Sequence, residues 1–300
     1  AAVTARQIPR TDEDLMACHA IWGYNEMLGL DSDVVASSRN LDGLKPEEKR
    51  RLSQIDDVCS CFKRDIFLKY RYTPGRAYAE DLELGIKLVK DGYKIARLFS
   101  NGVIHSHSRS PYYYLRRSYV EVKTFSELFG YDPKEFRRDE IVSLDNLLDY
   151  VLDLYDLVCL AVDDLRDHIF YKRNISRAFQ AIEKTRTVDS GTASIPKTSN
   201  EDLSKALRQI VRITDHKRGR KSDSNPLRHG YLISLSMFER WLSSTHQDLL
   251  DIETEFVEAL YKLLGIQVGG WLGKYYVYSS LSGQVGERLV QLDNLLSEGV

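Results

Sequence analysis

No run of 18 apolar residues occurs in the 300-residue chain, which excludes a membrane-spanning helix. Cysteine is scarce, with only Cys18, Cys59, Cys61 and Cys159. Cys59-x-Cys61 is too tight for a Cys-x-x-Cys knuckle, so no zinc-type spacing exists, and the four read as reduced thiols of a cytosolic protein. Neither sign of charge dominates: 42 Lys and Arg stand against 44 Asp and Glu, a net charge of −2. That balance removes any global pull toward nucleic acid or acidic surfaces. No internal repeat is apparent.

What is present suffices for a packed core, because 43% of the residues are hydrophobic. Tyrosine is abundant at 18. Its apolar ring and polar tip suit either interfacial packing or a sugar-binding wall.

The most informative stretch runs from Ala79 to Ser110. The acidic pair Glu80-Asp81 opens a segment in which Leu82, Ile86 and Val89 recur at helical spacing. Lys90-Asp-Gly92 stops that helix, with glycine free to take positive φ. Strand candidates follow at Tyr93–Phe99 and Gly102–His105, the second ending in His105-Ser-His107. A carboxylate at a helix entrance is therefore followed by two imidazoles at a strand end, a base-and-metal pattern. Two residues apart on an extended strand, the histidines would share one face.

Elsewhere, residues 1–57 read as loop and helix, with Thr11 as a cap and a helix over 47–54 behind Pro46. Val58–Phe62 reads as a strand, Lys63–Tyr70 as a short helix and Thr73-Pro-Gly75 as a turn. From Pro111 the chain reads as helical: Arg116–Phe129, then Ser143 to about Arg186 with a 3.6-residue apolar period. The row Asp145, Asp149, Asp153, Asp156 reads as a solvated helix face rather than a cation site. Residues 187–200 are a polar Gly/Pro/Ser linker, and a helix follows over 201–213. Residues 212–228, with Arg212, Lys217, Arg218, Arg220, Lys221 and Arg228, read as a flexible basic loop. It is suited to solvent or to anionic head groups, and it lacks the interleaved aromatics that nucleic-acid binding would use. Leu232–Trp241 and Asp248–Leu264 read as amphipathic helices. The glycine-containing segment 265–273 and Tyr275–Tyr278 suit either bundle packing or a membrane surface.

Four segments, in order, resemble the second half of a family 2 glycosyltransferase domain of the GT-A type, closest to bacterial rhamnosyltransferase-like enzymes of surface-polysaccharide synthesis. They are Ala5-Arg-Gln-Ile-Pro-Arg10, Ser60-Cys-Phe-Lys-Arg-Asp-Ile-Phe67, Tyr78-Ala-Glu-Asp-Leu-Glu-Leu-Gly85, and Val103-Ile-His-Ser-His107 with Tyr112–Tyr119. The resemblance covers roughly residues 1–130. The family's nucleotide-binding half and its Asp-x-Asp metal motif have no counterpart: Asp31-Ser-Asp33 has the letters but follows no apolar strand. The chain therefore reads as the later part of a longer enzyme, inactive by itself.

The resemblance implies an α+β, mostly helical fold. Residues 1–142 would be the acceptor-side half of a GT-A α/β domain with two or three short strands, and 143–300 a helical domain. It implies inverting, metal-dependent transfer of a sugar from a nucleotide-sugar donor to a glycan or lipid-linked acceptor. Asp81 is then the general base, with Glu80 shaping the site. His105 or His107 would reach a divalent metal, Mn or Mg, held mostly by residues outside this chain. Arg109, Arg116 and Arg117 would contact the diphosphate, and Arg64 would border the acceptor site. The setting would be cytoplasmic, with peripheral contact at the inner face of the cell membrane. The competing reading is a non-catalytic helical module that docks a membrane or partner.

Overall fold

A computed structural model describes residues 1–29, 31–37, 40–76, 78–130, 143–169, 225–245 and 252–298. The expected linker at 187–200, the helix at 201–213 and the basic run up to residue 224 lie outside the described residues. Those described form a mixed α+β chain with four strands and nine α-helices. Contacts divide it into two compact units. One comprises Ala1–Ser108 and the described residues 124–130. The other comprises Arg109–Lys123 and the described residues from 143 onward.

The first unit is built on a sheet of order β2-β4-β1-β3. Its strands are β1 (Ala2–Ile8), β2 (Val34–Ala36), β3 (Ser60–Phe62) and β4 (Ile95–Ile104). β1 runs parallel to β4 and antiparallel to β3, while β2 pairs antiparallel with β4. The helices are α1 (Leu15–Leu28), α2 (Pro46–Ser53), α3 (Arg64–Tyr70) and α4 (Glu80–Lys90). Leu82, Leu84, Leu88 and Val89 of α4 join Ile55, Ile95 and Ala2 in the core. The cap of α1 is Asp14, whose carboxylate accepts from the Ala17 N–H at 2.9 Å; Thr11, expected to cap it, lies three residues too early.

Two further expectations are corrected. Residues 1–57 are not only loop and helix, since β1 lies inside the sheet. Its apolar pattern is weak because the buried positions are Ala2 and Thr4 while Val3 is 39% exposed. The Thr4 hydroxyl is satisfied by the carbonyls of Asp56 and Cys59, so a polar residue can occupy a buried strand position. The two strands expected over 93–105 are one, β4. Its pairing with β1 skips from Leu98 to Gly102, and the intervening bulge is tied down where the Ser100 N–H donates to Asp33 at 2.8 Å.

In the second unit, α5 (Pro111–Phe129) supplies residues up to Lys123. It is joined by α6 (Leu144–Ile169), α7 (Pro226–Thr245), α8 (Glu253–Leu281) and α9 (Glu287–Ser297). α6 buries Leu147, Leu148, Val151, Leu152, Tyr155, Val158 and Leu165, as its period predicts. The aspartate row is not a solvated face throughout. Asp153 and Asp156 are 2% and 3% exposed, because so many apolar neighbours turn that side of α6 inward. Arg228, assigned from sequence to a flexible basic loop, sits in the first turn of α7 and pairs with Asp153 at 2.8 Å. Asn225 also donates to Asp153 at 2.8 Å.

The glycine segment of α8 packs against α5. A Cβ at Gly265 would fall 2.4 Å from the carbonyl oxygen of Pro111, and one at Gly269 would fall 1.9 Å from that of Leu115. α9 is held to α5 by Asp293, which accepts from Tyr119 at 2.9 Å and also pairs with Lys123. Among the described residues, no helix is long and apolar enough to cross a membrane.

Candidate functional site

The acidic pair Glu80-Asp81 opens α4, as the sequence predicts, but the helix is entered in an unusual way. Ala79, the residue before it, takes the left-handed conformation at φ 58°. A non-glycine residue there stores on the order of 1 kcal/mol of strain. The burial of Ala79 at 9% exposure holds it in place. The preceding loop is pinned by Glu83, which pairs with Arg76 at 3.1 Å and Lys87 at 3.0 Å and accepts from Thr73 at 2.9 Å.

Where α4 enters the sheet side, it meets the end of α2 at very short range. A Cβ at Gly85 would lie 1.7 Å from the carbonyl oxygen of Ser53, so only glycine lets the helix approach. The chain leaving α2 runs through Gln54 and Ile55 to Asp56 and Asp57. This close approach is what brings Asp81 to that second acidic pair.

Asp56, Asp57 and Asp81 each bring a carboxylate oxygen within 4.8 Å of the others. Among the described residues, this is the group of three that could hold a metal ion. Oxygen donors of this kind suit a hard divalent cation such as Mg²⁺ or Mn²⁺. Neither histidine belongs to the group. Burial, with the like charges of Asp57, Glu80 and Asp56, pushes the Asp81 carboxyl up to about 7. The Leu82 N–H, donating at 2.6 Å, opposes this without cancelling it. Asp56 is also raised, first by burial; hydrogen bonds from Gln7 and the Val58 N–H hold the rise back.

The strand ends complete the site. Gln7, on β1, donates its side-chain amide to Asp56. The oxygen of the same amide lies 3.1 Å from Nδ1 of His105, just past the end of β4. The backbone N–H of His105 donates to the Ile8 carbonyl at 2.9 Å, extending the β1–β4 ladder by one bond. His105 is half-buried and His107 exposed. Their rings stand edge to face, with centroids 4.6 Å apart, so the two still neighbour each other although the strand stops at Ile104. Burial and the charges of Asp56 and Asp81 push the phenol of Tyr24 upward; burial and Asp57, Asp81 and Glu80 do the same to Tyr72. Two tyrosines thus lie within electrostatic reach of the carboxylates.

Behind the site, Arg97 is 2% exposed. Its Nε donates to the Gln54 carbonyl at 3.2 Å. Burial lowers its guanidinium to about 10. It lines a cavity of about 10 Å³ together with Thr4, Tyr24, Gln54 and Asp56.

Of the residues singled out from sequence, Glu80, Asp81, His105 and His107 fall in the first unit, and Asp81 is one of the three carboxylates of the cluster. Arg64 is exposed at the start of α3. Arg109, Arg116 and Arg117 belong to the second unit. Arg109 lies over the ring of Tyr113 at 5.1 Å. The Arg116 Nε donates to the Leu296 carbonyl at 3.4 Å, and its guanidinium lies over Tyr112. Arg116 thus holds α9 within its own unit.

Asp56, Asp57 and Gln7 are not among the residues that stand out in the sequence. A second acidic pair just ahead of the strand candidate at Val58 was a usable signal. Gln7 carried none, because nothing in the sequence places a lone glutamine opposite residues 49 and 98 positions away. Comparison with protein-family models, with curated proteins and with solved structures gives no match.

Proposed function

We propose that the chain carries the base-bearing, acceptor-side part of an inverting glycosyltransferase, which moves a sugar from a nucleotide-sugar donor to a glycan or lipid-linked acceptor. The observation that carries this reading is Asp81: a carboxyl at a helix entrance, held near pH 7 by burial and neighbouring carboxylates. A general base works best when its pKa lies near the operating pH.

Asp81 takes the proton of the acceptor hydroxyl as that oxygen attacks the anomeric carbon. The bond from that carbon to the leaving diphosphate breaks on the opposite face, and its electron pair stays on the diphosphate oxygen. Configuration inverts, and the sugar is joined to the acceptor oxygen. Asp57 and Glu80 keep the Asp81 proton affinity high, so the base is matched to its task. Gln7 and the Val58 N–H hold Asp56 in place beside it.

A divalent ion, when bound, neutralises the charge that builds on the leaving diphosphate. Asp56 and Asp57 would offer it oxygen ligands, while His105 stands at the neighbouring strand end, outside that group. Exposed Arg64 is available to the acceptor.

The test is Asp81→Asn in the complete protein, assayed with a panel of uridine, guanosine and thymidine diphosphate sugars. Transfer should fall by roughly 100-fold or more with donor binding nearly intact. Near-normal turnover would remove Asp81 as the base.

A further inference from the structure

The amide of Gln7 touches both Asp56 and His105, and the surroundings decide which way round it sits. Asp56 is 6% exposed. Its backbone is locked to Thr4, whose hydroxyl donates to the Asp56 carbonyl at 3.2 Å. One carboxylate oxygen accepts from the Val58 N–H at 3.2 Å, and the other faces Gln7. An ionised carboxylate only accepts, so the NH₂ end of Gln7 must be the end that faces it. The oxygen end then faces Nδ1 of His105 at 3.1 Å. A carbonyl oxygen only accepts, so Nδ1 must carry a hydrogen. Both strand ends are fixed: Gln7 pairs in register with Val103, its own carbonyl accepts from Asn25 at 3.2 Å, and the His105 N–H is bound to Ile8. The backbones that carry the two side chains are therefore held in register beside each other.

We propose that Gln7 is a positioning residue that sets His105 in its Nδ1–H tautomer and thereby leaves the Nε2 lone pair as the free donor atom of the ring. This rests on the glycosyltransferase reading only for the use made of Nε2, which lies outside the group of Asp56, Asp57 and Asp81. The arrangement parallels the carboxylate–histidine pairs behind metal-bound imidazoles, with an amide inserted between the two. The amide passes the orienting effect of Asp56 to His105 while remaining neutral. A carboxylate at position 7 would place a second negative charge against Asp56.

The tautomer is read directly by long-range ¹⁵N–¹H correlation spectra of the metal-free chain labelled at histidine nitrogen. His105→Gln identifies the pair of signals to follow among the seven histidines. The expected result is a protonated Nδ1 and an unprotonated Nε2 at pH values where the ring is neutral. In Gln7→Leu the population should move toward Nε2–H, and the near-isosteric Gln7→Met should do the same. An Nε2–H tautomer in the unaltered chain overturns the proposal and needs no variant to be seen. An unchanged tautomer in a folded Gln7→Leu or Gln7→Met overturns it too. The measurement uses no donor, acceptor or metal, so its outcome is independent of whether the chain takes part in sugar transfer.

Discussion

The carboxylates of Asp57 and Asp81 come within 4.8 Å of each other although they are 24 positions apart in the chain, one in a short 3₁₀ turn and the other at the entrance of α4. Two like charges this close disfavour joint ionisation. Asp57→Asn should therefore lower the Asp81 carboxyl from about 7 toward the ordinary aspartate range. Carboxyl ¹³C titration of both proteins checks this. An Asp81 titration unmoved by the substitution would mean that Asp57 contributes nothing to the rise.

Stability should carry the same signature. The folded-state pKa of Asp81 lies above its unfolded value of 3.8, so between the two the folded state binds more protons. The contribution is fully present below about pH 4 and is lost as pH rises through about 7. The full excursion is on the order of a few kcal/mol. Urea unfolding at pH 5 and pH 8 should show a larger loss for the natural chain than for Asp81→Asn. Parallel losses in the two proteins would contradict it.

Gly85 and Gly269 each sit against a backbone carbonyl that cannot give way, 1.7 Å and 1.9 Å from where a Cβ would be. Alanine at either should destabilise its unit by about 1–3 kcal/mol or more, because the whole helix must shift. Gly270 has nothing within 4 Å. Alanine there should stabilise by up to about 1 kcal/mol through helix propensity. Thermal melts of the three variants test the contrast, and a destabilising Gly270→Ala would be inconsistent with the packing described. Gly85→Ala should also disturb the Asp81 titration, whereas Gly269→Ala should leave it alone.

Arg228 balances the buried carboxylate of Asp153. Arg228→Met leaves that charge with Asn225 alone among these two partners, at a cost of about 3 kcal/mol. Combining it with Asp153→Leu removes the charge as well and should restore most of the loss. Urea midpoints of the single and double variants measure this. A double variant as unstable as Arg228→Met would show that the pair contributes more than its charge balance.

Much of the helical part of this protein was legible from local chemistry. The apolar period of residues 144–165, the stop at Gly92 with φ 80°, Pro46 opening α2 and the acidic entrance of α4 are each set by residues within one or two turns of one another. β1 was not legible. Its buried face is Ala2 and Thr4, and a strand whose polar group is satisfied by distant carbonyls shows no apolar alternation. The inward turn of Asp153 and Asp156 is not legible for a related reason: a helix displays its period in sequence, but what lies opposite a given side chain is decided by other helices.

The candidate site divides along the same line. Glu80, Asp81, His105 and His107 stood out because a carboxylate pair at a helix start and paired histidines at a strand end are local patterns. That Asp81 meets Asp56 and Asp57 was decided by the close approach of Gly85 to Ser53. That Gln7 joins Asp56 to His105 was decided by parallel pairing between strands nearly a hundred residues apart. Local sequence determines which residues begin and end an element, because capping, periodicity and φ preference act over a few residues. The proton affinity of Asp81 and the orientation of His105 depend on burial and on charges contributed by other elements, and those exist only once the chain has folded.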